Sequence, residues 1–402
     1  MSEAPNRSEK RSPEAPTQKP RPRFVSGERQ DSCREVDDHE ARSPDPGSLG
    51  RLEARVRDAG EVATACTASG PVVRHAGQPL GGEAVKRSNL VGERAARGVL
   101  LTQGMSYPRQ VLPGMTYLLT RRCTQRQFLL RPSAQTNAIL LYCLARAAAL
   151  YGVEVHAYCF LSNHYHLVVT DPRARLPEFM RYLNEHTARA LNASLGRWES
   201  LWAPGSYSAV RLVDPGDVVA KIAYTLANPV AAGLVERAEH WPGVWSHPRE
   251  LDGASRVVLR PEGGFFRPAG PTPEVCELRL TLPPGFDGRM TYVDAVRREL
   301  RSLEDAAVLA VRTRGSGFLG RKAVLTQSVS DAPTTVEPRR VLNPRVAARD
   351  RWKRIEALLR LRDFIEAYRA AREALLAGLA GVWFPLGTYW LRVRLGVTCG
   401  PS

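Results

Sequence analysis

An α+β fold is predicted by three features of the chain. Patterned segments between residues 115 and 213 run strand, helix, strand, strand, helix, strand. The strands alternate in hydropathy, whereas the second of the helices carries one clear apolar stripe. The two middle strands are separated only by Ser162-Asn163, a break short enough to join antiparallel neighbours. This order is the split β-α-β arrangement of ferredoxin-like domains, an antiparallel sheet with helices on one face. The opposite face is then open for a ligand or a further helix.

Residues 1–104 are rich in Pro, Gly, Ser, Arg and Glu and show no period of 3.6 or 2. Too little apolar surface is available to offset the entropy of ordering, so disorder is expected there. The segment is also a candidate for a spurious extension, with Met105 and Met115 as alternative starts. From Met115 the run MTYLLT reads as a strand, followed by the basic run Arg121-Arg122-Cys123-Thr124-Gln125-Arg126. Ser133 caps a helix bearing Ile139, Leu140, Tyr142, Cys143, Leu144, Ala147 and Leu150. Val153 to Phe160 and His164 to Thr170 are the middle strands. Leu176, Phe179, Met180, Leu183, Thr187, Ala190 and Leu191 stripe the second helix, with Pro177 in its first turn. Tyr207 to Val213 is the fourth strand.

An additional helix follows. Asp214 caps it, Pro215 suits its first position, and Asp217 completes a box-like start. Val218, Val219, Ile222 and Leu226 form its apolar stripe. Tyr224 falls about opposite that stripe, with Asp217, Lys221 and Asn228 on the same polar face, and Pro229 is expected to end the helix. Residues 105–247 thus form one domain, and a Pro/Gly-rich linker covers 248–272. Residues 273–402 read as a basic α/β extension that folds as a second unit. In it, Cys276 to Leu282 is strand-like and Tyr292 to Val311 helical, while Arg312 to Lys322 forms a basic Gly-rich loop. A long helix over Ala348 to Leu376 carries a buried stripe of Trp352, Ile355, Leu358, Leu361, Ile365 and Tyr368. Val382 to Val397 reads as a hairpin.

Composition narrows the function classes. The net charge is +16, and its location matters. Residues 1–100 hold 17 Lys/Arg against 15 Asp/Glu, leaving 40 against 26 in the remainder, so the basic excess lies in the patterned part and points to a polyanionic partner. Seven scattered cysteines without a Cys-x-x-Cys pair indicate neither a disulfide framework nor a zinc ribbon. No apolar run is long enough to span a bilayer, and the polar start is no signal peptide. The expected setting is cytoplasmic and nucleoid-associated. Arg121, Arg122, Arg126 and Lys221 are candidate nucleic-acid contacts, as are Arg321 and Lys322 at the end of the Gly-rich loop.

His164 and His166 project from the same face of one strand, since side chains alternate with a period of two. Two imidazoles so placed can chelate one divalent metal, or stand as half-buried structural histidines. With the Tyr224 helix docked on that face, Asn228 can complete a mixed N/O site for Mg²⁺ or Mn²⁺. A nearby cation would activate the phenol, whose ordinary pKa is near 10, toward a phosphodiester.

These residues also carry a resemblance. His164-Tyr165-His166 within YCFLSNHYHLVV resembles the signature of single-tyrosine HUH transposases. The run from Tyr224 through Asn228-Pro229-Val230 to Gly233-Leu234-Val235 resembles a segment of REP-associated tyrosine transposases. The match spans about residues 105–247. It implies an enzyme that cuts and rejoins single-stranded DNA beside a small hairpin, leaving a 5′-phosphotyrosine and a free 3′-OH. It also implies Tyr224 as nucleophile, His164 and His166 as metal ligands, and Asn228 in the place of a third, amide ligand. Tyr165 departs from the pattern, standing where an aliphatic residue is frequent. Three alternatives remain: a ferredoxin-like module that binds nucleic acid through surface aromatics such as Tyr165 or Tyr207, a replication-initiator type of HUH nickase, and a decayed copy that binds hairpins without cutting.

Overall fold

The computed structural model describes residues 108–335 and 344–400. The expectations for residues 1–104 and for a start at Met105 lie outside the described residues. Strand β1 (Met115–Arg122) is the centre of the main sheet. It pairs antiparallel with β3 (His164–Asp171) in unbroken register from Met115 opposite Asp171 to Arg122 opposite His164. On its other side β4 (Ser208–Leu212) is antiparallel to it, while β2 (Glu154–Phe160) flanks β3. The order β2-β3-β1-β4 is the ferredoxin-like arrangement. A fifth strand, β7 (Val346–Ala347), comes from the C-terminal part and lies parallel to β4 at the edge.

Two helices cover one face. Helix α1 (Ala134–Tyr151) starts where the Ser133 hydroxyl accepts Thr136 N–H at 3.0 Å, as expected. Helix α2 (Leu176–Leu195) buries the expected stripe, including Phe179, Met180, Leu183 and Leu191. Helix α3 (Pro215–Ala231) lies over the opposite face against β2 and β3, and α4 (Arg289–Thr313) packs on its outer side. The capping box of Asp214 and Asp217 forms as predicted. Pro229 does not stop α3, which continues to Ala231. A proline in the last turn forfeits a single hydrogen bond, and the helix closes instead in a Schellman motif. Gly233 is left-handed at φ 69°, and Leu234 N–H reaches Pro229 O at 3.0 Å. Much of the Asn-Pro-Val to Gly-Leu-Val run is therefore a helix terminus.

Several other expectations are corrected. Strand β1 runs past Thr120 to take in Arg121 and Arg122, the start of the basic run. The 248–272 connector holds β5 (Ser255–Leu259), paired antiparallel with β6 (Val275–Arg279). Of the residues beyond 273, Ala371, Leu375, Phe384 and Leu391 form a small cluster of their own, but the stretch before them does not. Leu278, Leu280, Tyr292, Val293, Val296 and Val324 bury themselves in the same cluster as the main sheet. Arg321 and Lys322 leave the predicted loop and open the short helix α5 (Arg321–Thr326). Helix α6 (Arg351–Leu376) buries Ala357, Phe364, Ala371 and Leu375 and leaves Trp352 and Leu358 exposed. The expected final hairpin is instead β8 (Phe384–Pro385), α7 (Trp390–Leu395) and β9 (Cys399–Gly400), with β8 and β9 parallel. Among the described residues no helix is long and apolar enough to cross a membrane.

Candidate active site

The site grows out of strand register. Side chains directly opposite each other in an antiparallel pair share a face. Thr120 stands opposite His166 and Arg122 opposite His164, so all four emerge on the α3 side. Tyr165 and Leu167 point the other way, into α1 and α2. There the Tyr165 hydroxyl donates to Asn184 Oδ1 at 2.7 Å, and its ring meets Trp202 edge-to-face. That contact accounts for a bulky, polar-tipped residue between the histidines.

The hairpin holding the pair is tight. Leu161 N–H bonds His164 O at 2.8 Å across Ser162-Asn163. The two imidazoles stand at right angles with centroids 5.0 Å apart. Each has its Nδ1 engaged. His164 Nδ1 lies 2.6 Å from Asn163 Oδ1, and His166 Nδ1 lies 2.8 Å from Thr120 Oγ1. His166 Nε2 is buried and has no hydrogen-bond partner. The rings are 5 % and 3 % exposed, so neither can use bulk water in place of a partner. Burial pushes both imidazoles down. For His164 the shift is reinforced by His166, Arg122 and Arg126, and for His166, lowered to about 3, by Arg122 and Lys221. Both rings are therefore neutral near pH 7, the state in which an imidazole donates a lone pair to a metal.

Helix α3 brings Tyr224 to the pair. Its ring lies edge-on to His166 at 5.4 Å between centroids, and the Lys221 ammonium sits 5.6 Å from the same ring. Tyr224 is half-buried, between core and solvent. Asn228, expected on a polar face, is instead buried at 7 %, one turn further along the same side of α3. Asp217 is also buried, and its carboxylate is spent on Asp214 N–H at 3.2 Å and Arg349 N–H at 2.8 Å. It is a structural anchor for α3 rather than part of the tyrosine face.

The basic candidates divide. Arg122 is on the histidine face, and Arg126 and Lys221 are close enough to bear on the imidazoles. Arg121 is on the other face, bonded to Gly205 O at 2.8 Å. Arg321 and Lys322 are exposed on α5, outside the sheet and the helix that carry the histidines and Tyr224. Thr120 and Asn163 were missed by sequence reasoning. Asn163 read only as a turn residue, and no local pattern shows which residue of β1 faces His166.

A divalent cation fits the donors. Two pinned, neutral imidazoles, one with a buried and unpartnered Nε2, and a buried amide on the facing helix suit Mg²⁺ or Mn²⁺. Among the described residues, no group of three or more His, Cys, Asp or Glu side chains could hold a metal. A purely acidic or thiolate cage is therefore not what the described residues offer.

Comparison with known proteins places the fold's central part. Residues 113–213 match the profile of the family described as transposase IS200 like. The match includes both histidines and ends before Tyr224. Among solved structures, the chain is similar to a REP-associated tyrosine transposase bound to a REP hairpin, at 20 % identity and a TM-score of 0.32, over 37 % of this chain and 86 % of that one. It is also similar to a proposed transposase from Deinococcus radiodurans R1, at 21 % identity and a TM-score of 0.21, over 26 % of this chain and 85 % of that one. No curated protein matches the chain.

Proposed function

We propose, from the match of residues 113–213 to the IS200-like transposase family, that the chain cuts and rejoins single-stranded DNA beside hairpins through Tyr224. One observation carries the proposal: the Tyr224 ring lies against His166, whose buried Nε2 has no protein partner. A tyrosine on a packing helix would have no use for such a neighbour.

In this reading His164 and His166 would hold Mg²⁺ or Mn²⁺, with the Asn228 amide as a further donor. The bound ion would polarise the scissile phosphodiester and neutralise charge developing on it. The residues of the chain do the rest. Tyr224 Oη forms a bond to phosphorus as the P–O3′ bond breaks. The phenolic proton passes to solvent and O3′ gains one, leaving a 5′-phosphotyrosine and a free 3′-OH. The Lys221 ammonium beside the ring stabilises the phenolate form. Arg122, on the same face, is placed to bind the anionic backbone. Attack by an incoming 3′-OH reverses the step, joins the strands and frees Tyr224. The phosphodiester bond energy is thereby conserved, which a plain nuclease would not need.

A labelled single-stranded hairpin, incubated with the full chain and Mg²⁺ or Mn²⁺, tests the reading. An SDS-resistant adduct is expected, lost on EDTA treatment and in Tyr224→Phe. Hairpin binding without any adduct, unchanged in Tyr224→Phe, would instead make the chain a non-catalytic nucleic-acid module.

A further inference from the structure

We propose that Asn163 is a positioning residue: its side-chain amide fixes His164 in the Nδ1–H tautomer and turns the bare Nε2 toward the metal position. The proposal rests on the metal-dependent reading for the role of Nε2, but the tautomer follows from geometry alone.

The amide has two partners that fix its orientation. Asn163 Nδ2 donates to Arg126 O at 3.3 Å, and Oδ1 faces His164 Nδ1 at 2.6 Å. Flipping the amide would set its oxygen against a carbonyl oxygen, two acceptors facing each other. With the oxygen toward the ring, Nδ1 must be the donor, because an amide oxygen only accepts. A neutral imidazole has a single N–H, so the Nε2 lone pair is left unprotonated. The other histidine has no comparable constraint. Its Nδ1 partner is the Thr120 hydroxyl, which either donates or accepts.

The Arg126 carbonyl that holds the amide is itself held. Gln125 and Arg126 adopt φ of 49° and 60°, two consecutive left-handed non-glycine residues. Such a conformation persists only where surroundings impose it. The Arg126 guanidinium bonds Thr335 O at 2.6 Å and Thr335 Oγ1 at 3.2 Å, and Phe128 N–H bonds Asp331 O at 2.9 Å. Asn163's own carbonyl accepts Cys123 N–H at 2.7 Å. A continuous set of hydrogen bonds thus runs from residues 331–335 through Arg126 and Asn163 to the imidazole. This gives the C-terminal part of the chain a place in supporting the site.

The test uses full-length protein labelled with ¹⁵N-histidine. Long-range ¹H–¹⁵N spectra are expected to show His164 as Nδ1–H in the wild type and in Asn163→Asp, whose carboxylate still accepts. In Asn163→Ala the Nε2–H form should appear. Mn²⁺ affinity, read by EPR of the free ion, should fall by about 10- to 100-fold in Asn163→Ala and stay within about threefold of wild type in Asn163→Asp. Thermal melts separate a folding defect from this effect. Lowered melting with unchanged Mn²⁺ affinity and tautomer would overturn the proposal, as would equal loss of affinity in both variants. If Asn163→Ala does not fold, the wild-type spectrum decides, and an Nε2–H His164 rejects the proposal. A wild type that binds no Mn²⁺ yet shows Nδ1–H would sink the metal reading and leave the tautomer assignment standing.

Discussion

The two faces of β3 are equally buried and built to different ends. On one, Tyr165, Leu167 and Val169 are sealed against helices, and the single polar tip is used by Asn184. On the other, His164 and His166 are nearly as inaccessible, yet a ring nitrogen is left without a partner and cationic side chains gather round. Burial alone does not separate a core from a site. Nor does an unpartnered atom alone, since Thr187 Oγ1 and Tyr292 Oη are also buried without partners; what sets this face apart is a second imidazole, a phenol and cationic side chains gathered around such an atom.

Substitutions on the two faces should therefore fail in different ways. Tyr165→Ala removes a fully buried ring and should cost about 3–5 kcal/mol in urea unfolding, leaving Mn²⁺ affinity of the folded fraction unchanged. His166→Ala removes a smaller buried ring together with its orphan atom, so it should cost less stability than Tyr165→Ala while sharply lowering Mn²⁺ affinity. If both variants lose stability alike, with no difference in metal affinity, the contrast between the faces collapses.

Acid sharpens the same contrast. His156, lowered to about 4 by burial, and His166, lowered to about 3, both protonate less readily in the folded chain than when unfolded, as does His164. As pH falls below the unfolded value near 6.5, the unfolded state takes up protons that the native state refuses. Stability is thus fully present above about pH 7 and declines from pH 6.5 toward pH 4. The loss is on the order of 2 kcal/mol per histidine at pH 5. Urea titrations between pH 7.5 and 5 should show this slope. It should flatten when His166 is replaced, and a pH-independent midpoint would contradict it.

Smaller effects belong to elements outside both faces. Asp217→Ala removes the capping carboxylate of α3 and its tie to Arg349, at about 1 kcal/mol. A thermal melt measures this, and part of the adduct yield should go with it as Tyr224 loses its fixed approach. Trp352→Ala, at a ring 76 % exposed on α6, should stay within about 0.5 kcal/mol.

What the sequence revealed follows the same physics. The alternation in MTYLLT and HYHLVV and the apolar stripe of α2 are local patterns, and the strands and helices fell where those patterns placed them. The shared face of His164 and His166 was equally legible, since it needs only the pleat of one strand. Thr120 was not, because its place opposite His166 depends on a register between strands 46 residues apart. Nor was the role of Asn163, whose turn position masked a side chain with two partners. Helix α6 misled for a different reason. It packs through a narrow seam of Ala357, Phe364 and Ala371, spaced by seven, which leaves Trp352 and Leu358 in solvent and Ile355, Leu361, Ile365 and Tyr368 half-buried. Pro229 predicts a stop, but a proline near a helix end breaks too little to impose one there.

The most direct measurement is pulsed EPR of Mn²⁺ bound to the full chain. Two imidazole nitrogens should couple to the manganese, both signals should weaken together when either His164 or His166 is replaced by alanine, and Tyr224→Phe should leave them intact. A fully hydrated ion with no nitrogen coupling would contradict the account: the histidine face would then be a core with a flaw, and Tyr224 a packing residue beside it.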